Sequence, residues 1–71
     1  MITKAKIEKT ANQLDAKAMG MGWTFHQESP QGQTPVKVYY QHISGVREYG
    51  EAGSKEEAKI KAAQKAIDHK I

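Results

Sequence analysis

The run "GSKEEAKIKAAQKAI", Gly53 to Ile67, sets two lysines where they could do chemistry. Ser54, with Glu57 three residues on, has the Ser-x-x-Glu spacing of a capping box, in which side chains satisfy the free amides of a helix start. Lys55 and Lys59 follow one turn apart, separated by about 40° on a helical wheel because four residues advance a helix by about 400°. Both belong to the first turns, where backbone N–H groups lack intrahelical acceptors and the helix dipole is positive. Two ammonium groups there are unfavourable for the helix alone and become favourable when an anion arrives. A row of phosphates is the anion that suits this spacing. The plain alternative is that the lysines only solubilise the helix end, with Glu56 and Glu57 offsetting the dipole.

Other residue types offer less. His26, His42 and His69 are the only histidines, they lack close metal-site spacing, and the chain has no cysteine. No metal and no cofactor is implied. Ser, His and Asp occur without any motif that would join them into a triad. Glu8, Asp15 and the Glu56–Glu57 pair come with no loop or pocket signal for acid–base work. "MGMG", Met19 to Gly22, lacks the preceding strand and following lysine of a phosphate loop. A non-catalytic protein is expected. Tyr39, Tyr40 and Tyr49 raise the option of stacking unpaired bases on a sheet. Tyr40 shares its alternation with Val36 and Val38 and is expected in the core; Tyr39 goes with Lys37 and Gln41 and is expected on an open face.

The elements that must position these residues are legible in the periodicity. Ile7, Ala11, Leu14 and Ala18 recur as one apolar stripe of a first helix, with Lys4, Glu8, Asn12 and Asp15 on its polar side. Thr3 can cap its start, and the glycines of "MGMG" end it. The period then changes to two. "WTFHQE" sets Trp23, Phe25 and Gln27 against Thr24, His26 and Glu28; "SPQGQTP" is a loop; "VKVYYQHI" is β-rich. Ser44-Gly45 reads as a two-residue hairpin loop before a third strand, "VREYGE". In the last helix Ala58, Ala62, Ala63, Ala66 and Ile67 form a face of mostly small residues that lets it lie close to a sheet. The order is α-β-β-β-α, an α+β fold whose three-stranded antiparallel sheet is covered on one face by two helices and open on the other.

Size and charge fit this frame. Seventy-one residues allow one domain, residues 1–71, and a chain of this size buries only about 60% of its unfolded surface. No segment has the length of an apolar membrane span or the run of a signal peptide, so a cytoplasmic or nuclear location and no membrane partner are expected. Eleven Lys and Arg against eight Asp and Glu leave a formal charge of +3, which suits an anionic partner.

"YGEAGSKEEAKIKAAQKAI" resembles the C-terminal signature of the double-stranded RNA-binding domain, in which a Gly-rich turn leads into Ser-Lys-Lys-x-Ala-Lys and an alanine-rich helix. The resemblance continues back through "GWTFHQESPQGQTPVKVYY", so that it covers about Trp23 to Ile67; the first helix is similar in position and character only. It implies shape reading of A-form RNA by three regions. The first helix and the β1–β2 loop enter minor grooves, and lysines of the last helix reach phosphates across the major groove between them. The resemblance implies Lys55 and Lys59 on phosphates, with Ser54 as cap. It implies Pro30, Gln31, Gly32, Gln33 and Thr34 as the minor-groove loop, which begins at Ser29, and Lys4, Glu8, Lys9, Asn12 and Asp15 as the helix face. Two departures stand out. Glu56 replaces the family's second lysine, and Gln33 stands where a histidine is usual. One cationic group fewer on the phosphates is expected to weaken binding and to lower its salt dependence by roughly one counterion. Relatives in this family also serve as protein docking or dimerisation modules, and Tyr39 and Ile43 on the open face, with Glu56 at a contact position, suit that alternative.

Overall fold

A computed structural model describes residues 4–30 and 32–69. Its elements run α1 (Lys4–Gly20), β1 (Trp23–Gln27), β2 (Val36–His42), β3 (Arg47–Ala52) and α2 (Lys55–Asp68). The strands form one antiparallel sheet in the order β1-β2-β3. This is the α-β-β-β-α order expected. The proposed Thr3 cap and loop residue Gln31 lie outside the described residues.

Alternation decides which strand residues go inside. Trp23, Val38 and Tyr40 are fully buried, with Phe25 and Val36 packed beside them, while Thr24, His26, Lys37, Tyr39 and Gln41 take the other face. Ala58, Ala62, Ala63 and Ala66 of α2 are all buried with these strand residues. Small side chains bring the helix in so far that β3 needs a glycine beneath it. A Cβ on Gly50 would stand within 3.0 Å of the Ala58 carbonyl oxygen and of the Ala62 nitrogen and Cβ. α1 packs against α2 and β1, burying Ala11 and Ala18 and half-burying Ile7 and Leu14.

The far end of α2 is tied down through Trp23. His42 and His69 meet its ring edgewise at 5.1 and 6.0 Å, and His69 Nδ1 lies 2.6 Å from Glu48 Oε2. His69 N also donates to the Lys65 and Ala66 carbonyls and closes the helix. No helix among the described residues is long and apolar enough to cross a membrane.

The β2–β3 connection corrects the two-residue turn expected at Ser44-Gly45. His42 N donates to Val46 O, and Gly45 N to His42 O, both at 2.8 Å, so the loop is Ile43-Ser44-Gly45. A two-residue type I′ turn needs two successive residues at positive φ. Ser44 does not adopt one among the described residues, whereas Gly45 does, at 98°. A three-residue loop that ends in a left-handed glycine uses the single glycine available.

Candidate nucleic-acid interface

The start of α2 is built as its sequence suggests. Ser54 has extended backbone, φ −133° and ψ 157°, and its Oγ accepts from Glu57 N at 3.3 Å. The Ser54 hydroxyl donates to Glu57 Oε1 at 3.0 Å, so the carboxylate arm of the box ends on the hydroxyl. That bond occupies one carboxylate oxygen of Glu57.

Lys55 and Lys59 then converge on one aromatic ring. The Lys59 ammonium sits 4.5 Å from the centroid of Phe25, and that of Lys55 sits 5.6 Å from it. Among the described residues neither is in an ion pair, unlike Lys37, which meets Glu28. Both lysines line a cleft of about 260 Å³ with Glu8, Ala11 and Asn12 of α1 and with Glu56. A neighbouring cleft joins Lys4, Ile7 and Glu8 to Ser54, Glu56 and Glu57. The structure thus brings Lys4, Glu8 and Asn12 beside the start of α2. Lys9 is exposed on α1 and borders an adjoining hollow that shares Glu8 and Asn12 with the lysine cleft but does not include Lys55 or Lys59. Glu56, the departure from the resembled pattern, is half-buried and borders both α1–α2 clefts.

Asp15 is the residue of the expected helix face that the structure removes from it. It is half-buried, and its Oδ1 accepts a hydrogen bond from the Tyr40 hydroxyl. A buried phenol requires a partner, and the three residues from Asn12 to Asp15 advance the helix by about 300°, leaving the carboxylate turned about 60° from Asn12 and towards the sheet. Burial, then this hydrogen bond and the Asp15 charge, push the Tyr40 phenol well above its ordinary value of 10.0.

The β1–β2 loop is anchored at its base and open at its tip. Glu28 N and Ser29 N both donate to Lys37 O, at 2.9 and 3.1 Å, and Lys37 N donates to Ser29 Oγ at 2.9 Å. Gln27 Nε2 adds a bond to Ser29 O at 3.0 Å. Beyond this clamp Gln33 N donates to Pro30 O at 3.3 Å, with Gly32 at φ 84°. Pro30, Gly32, Gln33 and Thr34 are all exposed.

Register shows why the three regions share one end of the molecule. Val36 pairs with Ala52, so the loop entering β2 lies beside the chain leaving β3, two residues before Ser54. α1 leads into β1 at the opposite end, where Trp23 pairs with His42, which places the first half of α1 at the loop end.

Two groupings escaped sequence reading. Phe25 was legible as sharing a strand face with Trp23 and Gln27, yet nothing in local spacing joins it to lysines so distant in the chain. On the open face His26, Tyr39 and Tyr49 stand directly opposite one another across the strands. Their ring centroids are 5.0 and 5.2 Å apart, with Arg47 over Tyr39 at 4.9 Å and Lys37 over Tyr49 at 5.3 Å. Strand alternation predicted the face, but only the register aligns the rings. Tyr39 thus lies between His26 and Tyr49, with cations beside both tyrosines.

Comparison with protein-family models, curated proteins and solved structures found no match to this chain.

Proposed function

We propose that the protein is a non-catalytic binder of double-stranded RNA that reads A-form shape. The observation that carries this reading is the pair of ammonium groups, Lys55 and Lys59, held over one ring at the positive end of α2, with no salt bridge to a carboxylate among the described residues. Beside them lie Glu8 and Asn12 of α1, and the exposed loop residues Pro30, Gly32, Gln33 and Thr34 lie at the same end of the sheet. The resemblance to double-stranded RNA-binding domains supports the same assignment. Lysines on phosphates supply affinity, while Asn12 and Gln33 can hydrogen-bond 2′-hydroxyls in flanking minor grooves. Base identity contributes little, because the deep major groove of A-form RNA hides its base edges.

Fluorescence anisotropy with one duplex of about 20 base pairs, long enough for the ~16 such a domain spans, tests this reading. The duplex is prepared as RNA and as DNA of equal sequence and titrated at two salt concentrations. Saturable binding to RNA with little to DNA is expected. Lys55→Ala with Lys59→Ala should weaken it and lower the slope of log K against log salt by ~0.9 or slightly less for each phosphate that is no longer neutralised. Equal affinity for the two duplexes would sink the proposal.

A second reading, protein docking or self-association, draws on the apolar residues left in solvent. Ile43 is 87% exposed, Met19 55% and Met21 44%. Ile43 stands in the β2–β3 turn at the end of the open face, and its N–H bonds Gly22 O, close to both methionines in the chain. Such docking would survive the double lysine substitution.

A further inference from the structure

Phe25 is the residue on which the phosphate lysines rest, and its ring does more than fill the core. Two ammonium groups brought together at a helix N-terminus repel one another and the helix dipole. The negative face of an aromatic ring is the compensation the fold supplies: Lys59 lies 4.5 Å and Lys55 5.6 Å from the Phe25 centroid, inside the range of cation–π attraction. The ring is itself held in place. It packs on Tyr40 at 5.4 Å with a 58° tilt, and the Tyr40 hydroxyl is tied to Asp15 of α1. Sequence offers Asp15, Tyr40, Phe25 and the lysines as separate features; the fold joins them into one support that runs from α1 through the sheet to the start of α2.

We propose that Phe25 is a positioning residue for RNA binding, one that pre-orders Lys55 and Lys59 on its ring so that phosphates meet ammonium groups already in place. This rests on the RNA-binding reading above. A free lysine loses rotamer freedom when it docks on a phosphate, and that loss is subtracted from affinity. A lysine already resting on a ring loses less, and its ammonium keeps donors free on the side away from the ring. Phe25 contributes no charge of its own, so it sets affinity without changing the number of counterions released.

That distinction gives the test a readout that damage to the fold would not reproduce. A chain of 71 residues is within reach of chemical synthesis, so Phe25 can be replaced by trifluorophenylalanine, which keeps the ring's shape and removes most of its negative face. Thermal melting and the amide spectrum establish that the fold is retained. Titration with the RNA duplex at several salt concentrations should then give a Kd about three- to tenfold weaker with an unchanged salt slope. In the free protein, the ε-methylene resonances of Lys59 should lie upfield in the unmodified chain and move towards ordinary values on fluorination. Phe25→Trp, with a more strongly cation-binding ring, should keep the affinity, whereas Phe25→Leu should lose it. Unchanged or tighter RNA binding by the fluorinated protein would overturn the proposal, because the ring would then be neutral or would compete with phosphate. Failure of the unmodified protein to bind RNA overturns the functional reading and this one with it. RNA binding that ignores fluorination overturns this one alone.

Discussion

Tyr40 joins the core to α1 through one hydroxyl, and its chemistry is measurable. The phenol is buried beside an accepting carboxylate, so its folded form resists ionisation, burial being the larger cause and Asp15 the next. For such an acid the stabilisation is whole below the unfolded value, near pH 10.0, and is lost as pH rises through the folded value. The unfolded chain then binds fewer protons than the native one, and stability falls by up to ~1.4 kcal/mol per pH unit. The informative comparison is with Tyr40→Phe, which removes only the hydroxyl. That variant should be destabilised by ~1 kcal/mol at neutral pH, since Asp15 loses its donor. Urea unfolding from about pH 9 to about pH 11 should show the gap between the two proteins narrowing as pH rises. A constant gap would mean that the phenol ionises as readily folded as unfolded. Sequence could not reveal this pair. Asp15 continues the polar series of Lys4, Glu8 and Asn12, and only the packing of α1 on the sheet shows that its carboxylate faces inward.

At the level of elements, α2 lies close on β3, and a glycine makes that approach possible. The alanine face was legible because helical period and small side chains are local properties. Gly50 was not, since its need for space arises from a helix that comes later in the chain. Adding a methyl group there would press on the backbone of Ala58 and Ala62, and backbone cannot rotate away as a side-chain tip can. Gly50→Ala should therefore cost ~3 kcal/mol, at the upper end for overpacking, and lower Tm by roughly 12–24 °C in a domain this small. Gly53→Ala is the control: a Cβ at that position meets nothing within 4 Å, so its melting should stay close to wild type. Equal melting temperatures for the two variants would mean that β3 can move away from α2 without loss. The β2–β3 loop carries a related lesson. Its glycine was visible, but the loop length depended on Ser44 keeping negative φ, which the dipeptide alone does not decide.

For the molecule as a whole, topology gathers three short segments at one end of a body measuring 34 × 24 × 13 Å. The capping signals and lysine spacing of α2 were legible in sequence, and so was the polar loop. Their convergence was not, because it follows from strand register: Val36 against Ala52 sets the loop beside the start of α2. This arrangement makes a size prediction that charge alone does not. Independent lysine–phosphate pairs would bind a short duplex nearly as well as a long one, site for site. Binding through α1 and the loop in successive minor grooves, with Lys55 and Lys59 between them, requires about 16 base pairs in one rigid rod. Per-site affinity should hold as an RNA duplex is shortened to that length. It should then drop steeply by half that length, where one of the two minor-groove segments has no groove to enter. The salt slope should fall less than the affinity, because hydrogen bonds to 2′-hydroxyls release few counterions while the lysines stay on their phosphates. Titrating a length series at fixed salt, with sites counted from the stoichiometry, separates the two cases. A smooth decline in proportion to the number of phosphates would leave Lys55 and Lys59 as a simple charge patch and remove α1 and the loop from the interface.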